Sequence, residues 1–142
     1  MPRIDGITKD IIKLRTLSAL SQENFCNMNE NHYDVAKLRL REALEGVFNI
    51  GAHILSRMEG SRATEYREIA RKLGACGIVE KEFADVLERM AGYRNRLTHF
   101  YAEITPDELY TILHTNLMDF ETFLSAIKHV LEHPDQFNLT VE

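Results

Sequence analysis

Apolar residues recur at steps of three and four along almost the whole of this chain, and no stretch sustains a period-two alternation of apolar and polar residues. Apolar residues at that spacing share one face of a helix, whereas a half-buried strand needs the shorter period. The pattern therefore predicts an all-α fold. Ile4, Ile7, Ile11, Leu14, Leu17 and Leu20 mark a first helix. The polar stretch from Glu23 to His32 breaks it, because Asn24, Asn27, Asn29 and Asn31 offer the backbone competing hydrogen bonds. A second, longer helix is predicted from about Asp34 to Met58, with Val35, Leu38, Leu44, Val47, Ile50, Ile54 and Met58 facing inward. Gly46 and Gly51 lie inside it, and since each glycine costs a helix interior up to about 1 kcal/mol, the pair predicts close packing by a neighbouring backbone.

Glu59-Gly60-Ser61 ends that helix. A short third helix follows from about Thr64, read as its cap, to Leu73, with Tyr66, Ile69, Ala70 and Leu73 inward, and Gly74-Ala75-Cys76-Gly77 stops it. A fourth runs from Glu80 to about Leu97 and carries Phe83, Val86, Leu87, Met90 and Leu97. Thr105-Pro106-Asp107-Glu108 is the sharpest boundary, combining a capping threonine, a proline suited to the first helical position and the glutamate of a capping box. It opens a fifth helix to about Glu132, with Leu109, Ile112, Leu113, Leu117, Phe120, Leu124, Ile127 and Leu131 in register, ended by His133-Pro134-Asp135. The expected architecture is an up-and-down helical bundle of four main helices plus one short helix over residues 1–133, followed by a loose C-terminal tail, 134–142.

The 142 residues suit a single domain, since a chain of this size buries roughly 68% of its unfolded surface. No apolar run approaches the ~20 residues that cross a bilayer, and Met1-Pro2-Arg3-Ile4-Asp5-Gly6 lacks the features of a signal peptide. The expectation is a cytoplasmic protein without membrane contact. Cys26 and Cys76 have neither CxxC spacing nor a histidine at ligand spacing, so they read as isolated thiols. Lys and Arg number 17 against 22 Asp and Glu, a net charge of −5 that excludes a protein which coats nucleic acid by bulk attraction. A local basic groove stays open. Arg57, Arg62, Arg67, Arg71 and Lys72 read as a solvated helix face.

Chemistry is concentrated in Arg94-Asn95-Arg96-Leu97-Thr98-His99-Phe100-Tyr101. Arginine presents a planar charged fork to phosphate oxygens, and histidine exchanges protons near neutrality. The Asn95 amide, the Arg96 guanidinium and the Tyr101 phenol add hydrogen-bonding groups for a nucleotide. On one continuous helix Arg94 and His99 stand about 140° apart, and His99 and Tyr101 about 200° apart. A shared pocket thus requires either that the helix end near Thr98 and continue as extended chain, or that two copies of the protein line one cleft. A helix C-terminus also favours protonated imidazole, which suits His99 to act as an acid.

The run Arg-x-x-x-x-His-x-Tyr at Arg94, His99 and Tyr101, with Asn95 after the arginine, resembles that of HepT-type toxins of the HEPN superfamily. Met90-Ala91-Gly92-Tyr93 before it, Tyr110 after it, and Glu42-Ala43-Leu44-Glu45 with Asn49-Ile50-Gly51-Ala52-His53-Ile54 upstream extend the similarity from about Ile4 to about Val130. The resemblance implies a metal-independent endoribonuclease, the toxin of a toxin–antitoxin pair, working as a homodimer on RNA through attack by the 2′-hydroxyl. Arg94 and His99 become the catalytic pair, with Asn95 and Arg96 binding substrate, no metal and no cofactor. It further implies a partner, a minimal nucleotidyltransferase antitoxin of the MntA type, which neutralises the toxin by transferring AMP to Tyr101. His32, His53, His114, His129 and His133 receive no role. The competing reading is a non-catalytic subunit that binds substrate for a nucleotidyltransferase, against which the intact Arg94/His99 pair argues. A purely structural dimerising bundle is a third reading, for which no change in the motif has an effect.

Overall fold

A computed structural model describes residues 2–58, 63–99 and 103–137. They form seven α-helices: α1 (Pro2–Ser18), α2 (Gln22–Phe25), α3 (His32–Ser56), α4 (Tyr66–Ala75), α5 (Lys81–Thr98), α6 (Pro106–Thr115) and α7 (Leu117–Glu132). No strand occurs among the described residues, as the periodicity requires. The Glu59-Gly60-Ser61 turn, Arg62, Tyr101 and the end of the tail lie outside them.

Two more helices appear than the apolar pattern predicts, and both have local causes. After α1, Ser21 accepts a hydrogen bond from the Asn24 amide at 3.1 Å and caps the single turn α2, whose Phe25 is fully buried beside Tyr110. The predicted C-terminal helix divides at Asn116, which leaves the helical path at φ −119° and ψ −4°. There the Asn116 side chain accepts from Thr115 Oγ1 at 2.7 Å and donates to Asp119 at 3.2 Å, the local competition that ends helices. The apolar register runs on past the break, so spacing alone does not reveal it.

The long α3 is central, packing against α1, α4, α5 and α6. Its buried stripe is Tyr33, Ala36, Leu40, Ala43, Leu44, Val47, Phe48, Ile50, Ile54 and Leu55. Leu38, expected inward, is 47% exposed, because two residues from Ala36 or Leu40 is about 200° around the helix. Leu131 is likewise 45% exposed; Phe120, Phe123, Ile127 and Val130 set the inner face of α7. The close packing predicted at the two glycines is present, supplied by side chains of α1 and α4 rather than by their backbones. A Cβ on Gly46 would stand 2.8 Å from Ile7, and one on Gly51 2.9 Å from Ile69. Thr64 does not cap α4; Glu65 occupies that position without a side-chain cap, and Tyr66, stacked on Phe48 at 4.7 Å, fixes where the helix starts. Beyond His133, Pro134–Phe137 form a 3-10 turn, and Phe137 packs edge-on to His129 at 6.0 Å.

Candidate functional site

The site is built around the end of α5. Thr98 Oγ1 donates back to the Asn95 carbonyl at 2.9 Å, and His99 follows as the C-cap with extended backbone, φ −119° and ψ 122°. The helix thus stops where the motif geometry requires. Tyr101 lies outside the described residues, and with it the expected common facing of His99 and Tyr101.

Where the chain returns at Glu103, three side chains hold it. The Tyr33 hydroxyl donates to the Ile104 carbonyl and, at 3.4 Å, to Glu103. Lys37, lying over the Tyr33 ring, meets the Glu103 carboxylate at 3.0 Å. Arg96 grips Glu108 of α6 with both terminal nitrogens, at 2.5 and 2.7 Å, and reaches the Glu103 carbonyl at 3.4 Å. Such a bidentate pair is directional as well as strong. Arg96 above all, helped by the Thr105 backbone, holds the Glu108 carboxyl below the usual carboxylate range, and Lys37 does the same for Glu103. Thr105 accepts from the Glu108 amide at 3.2 Å and Pro106 opens the helix, so the predicted start of α6 is found as read. Glu103 and Ile104 are therefore tied to α3 by Tyr33 and Lys37 and to α5 by Arg96.

Arg94 lies one turn earlier, against different neighbours. Its guanidinium sits 4.7 Å above the Tyr66 ring, which is itself backed by Phe48, and its Nη2 is 3.7 Å from Glu45 of α3. Stacking on an aromatic face suits a planar cation. Its Nε is buried and meets no hydrogen-bond acceptor among the described residues. Arg94 and Asn95 line a cleft of about 360 Å³ with Glu65, Tyr66 and Arg67. His99 lines another, of about 310 Å³, with Lys37, Arg41, Arg96 and Glu103. Among the described residues, Arg94 and His99 line different cavities, and Arg96, engaged with Glu108, lies on the His99 side.

Several residues of the site escaped sequence reasoning. Tyr66 reads as a core residue from its spacing, yet it is only partly buried and seats Arg94. Glu45 enters the sequence reading only within the Glu42–Glu45 run of the family resemblance; its i,i+4 pairing with Arg41 and its reach to Arg94 of α5 are structural findings. The other histidines have local roles or none: His114 tilts against Tyr110 at 4.3 Å and His129 against His133 at 4.4 Å. Cys26 and Cys76 are half-buried and not joined to each other, and burial pushes the Cys26 thiol up. Among the described residues no group of three or more His, Cys, Asp or Glu could hold a metal ion, and no helix is long and apolar enough to cross a membrane.

Fold and motif together define a class of small all-helical proteins that carry an arginine and, five residues on, a histidine at the end of one helix. The profile of the family described as "Ribonuclease HepT-like" matches residues 7–127, and the chain belongs to the HepT-like family. It is 23% identical over 129 residues to a protein named tRNA nuclease HepT from Aphanizomenon flos-aquae (strain 2012/KM1/D3), which covers 91% of this chain and 87% of that one. Among solved structures it resembles a tri-AMPylated Shewanella oneidensis HEPN toxin in complex with MNT antitoxin, with a TM-score of 0.82, 23% identity and coverage of 90% of this chain and 95% of that one. A toxin–antitoxin complex with AMP-PNP is similar at a TM-score of 0.78, 21% identity and the same coverage. At such identities these likenesses concern the fold.

Proposed function

We propose that this chain is a metal-independent endoribonuclease and the toxin of a toxin–antitoxin pair. The observation that carries the reading is the intact Arg94/His99 motif at the point where α5 gives way to extended chain, in a member of a ribonuclease family. In the reaction the RNA 2′-hydroxyl loses its proton and attacks the adjacent phosphorus, the bond to the 5′-oxygen breaks, and that oxygen takes up a proton. His99 handles a proton of this exchange; Arg94 holds the phosphate and stabilises the charge that develops on it. Asn95 orients the nucleotide in the Arg94 cleft. Arg96 acts chiefly through Glu108, holding in place the chain that carries His99. Among the described residues Arg94 and His99 line separate cavities, and a site completed between two copies, the Arg94 side of one facing the His99 side of the other, brings them together.

The antitoxin is a minimal nucleotidyltransferase that moves AMP from ATP to the Tyr101 phenol. The added bulk and negative charge beside His99 repel the phosphate of RNA. The description of one solved neighbour as an AMPylated toxin with its antitoxin, and the naming of a relative as a tRNA nuclease, support this reading and make tRNA the first substrate to try.

Purified protein is expected to cleave RNA in the presence of a metal chelator. Arg94→Ala and His99→Ala should each slow cleavage by about 100-fold or more at unchanged helical content. Full activity in both variants overturns the catalytic assignment. With antitoxin and ATP, the wild type should gain the mass of adenylate while Tyr101→Phe should not; a modified Tyr101→Phe places the acceptor elsewhere.

A further inference from the structure

Three cations line the His99 cavity, and they are held to different degrees. Lys37 meets Glu103 at 3.0 Å, and Arg96 grips Glu108 at 2.5 and 2.7 Å. Arg41 is held most loosely. Its Nε is 4.0 Å from Glu45, one turn further along α3, and its side chain is 43% exposed. The Glu45 oxygen that faces Arg41 is also the one 3.7 Å from Arg94, so Arg94 Nη2 and Arg41 Nε lie within about 8 Å of each other. Arg41 thereby joins the two cavities: it lines the one that holds His99, and through Glu45 it abuts the guanidinium that lines the other. Two arginines on either side of a single half-exposed carboxylate have more donors than that anion can satisfy, and arginine's fork favours phosphate.

We propose that Arg41 is a second phosphate-binding residue of the RNA site, taking the phosphate next to the scissile one, with Glu45 as the internal anion that RNA displaces from both arginines. This rests on the ribonuclease reading above. A single RNA strand whose scissile phosphate lies at Arg94 then places its next phosphate across Glu45, at Arg41 of the same chain. The acidic chain needs no wider basic surface, because contact is confined to a few arginines otherwise balanced from within.

The test uses the full chain free of antitoxin, with binding of a labelled single-stranded RNA followed by fluorescence anisotropy in His99→Ala protein over a series of salt concentrations. Loss of one phosphate contact on a single strand should reduce the slope of log affinity against log salt by about 0.7. Arg41→Gln should show that reduction and bind about tenfold more weakly. Arg41→Lys should keep most of the slope, and Lys128→Gln, at an exposed cation on α7, should change neither. In protein with His99 intact, Arg41→Gln should raise KM more than it lowers kcat. An Arg41→Gln slope and affinity equal to those of the parent overturn the inference, as does an Arg41→Lys slope as low as that of Arg41→Gln. If the wild type cleaves RNA and Arg41→Gln has the same KM, this inference fails alone. If Arg41→Gln weakens binding as expected but the wild type never cleaves, the ribonuclease reading fails and Arg41 stands as a binding residue.

Discussion

Two carboxylates face arginines of α3, and burial separates what they do. Asp10, 5% exposed, lies against Arg39 at 3.1 Å; its burial, aided by the nearby Glu42 and opposed by Arg39, raises its pKa to about 6. Between the ordinary 3.8 and about 6 the native protein holds a proton that the unfolded chain has released, so stability falls as pH rises through that window. Asp10→Asn mimics the protonated carboxyl. It should melt about 3 °C or more above the wild type at pH 7.5, with the gap narrowing steadily as pH falls through 6 toward 3.8; a gap independent of pH in thermal melts would refute this. Glu45 is half-exposed, with 36% of its side chain open to solvent. As a displaceable anion between Arg41 and Arg94 it competes with RNA, and exposed ion pairs contribute up to about 1 kcal/mol, so Glu45→Gln should lower KM by about two- to fivefold. A raised KM would instead show that Glu45 positions the arginines. Arg94 and His99 stand out in the sequence by residue type. The contacts that seat Arg94, on Tyr66 of α4 and near Glu45 of α3, were not legible there, since they join different helices and no spacing within one helix records them.

Among the elements, the tight junctions are those of α3 with its neighbours and of α4 with α5. Gly74 and Gly6 separate packing from propensity. A Cβ on Gly74 would stand 2.7 Å from the Ala84 Cβ, an atom no side-chain rotation can move, whereas one on Gly6 meets nothing within 4 Å. Gly74→Ala should therefore destabilise by about 1–3 kcal/mol, and Gly6→Ala, on an exposed face of α1, should stabilise by up to about 1 kcal/mol. Denaturant titrations check both, and equal effects would dissolve the distinction. Gly74 also bears on function, because the α4–α5 junction holds Tyr66 against Arg94. A helix boundary was readable where several chemical marks coincide, as at Thr105-Pro106, whose cap forms as expected, whereas the lone Thr64 does not cap α4. At Asn116 the signal was a single polar residue within an unbroken apolar register, and α2 was obscured by its polar surroundings although Phe25 anchors it. Leu38 and Leu131 show the same limit from the other side, for an apolar residue within a helical pattern is not thereby buried.

At the scale of the whole molecule the question is how many copies make one site. The end of α5 at Thr98 lets His99 leave the helix, yet among the described residues His99 and Arg94 line different cavities, one bordered by residues of α3 and the other by residues of α4. A site shared by two copies has a consequence that a self-contained site lacks. In a mixed dimer of Arg94→Ala and His99→Ala chains, one composite site has lost both residues and the other keeps both. Equimolar mixing with free exchange makes half of the dimers mixed, so two inactive preparations should together recover about a quarter of wild-type cleavage. Within a self-contained chain no combination restores the pair, and the mixture stays as inactive as its parts. Arg94→Ala with Arg41→Gln serves as the control for each arrangement: those residues share the Glu45 carboxylate on one chain, so mixing these two variants should give only the activity expected from averaging them. Cleavage measured before and after mixing, with exchange verified by native mass spectrometry, decides between one chain and two.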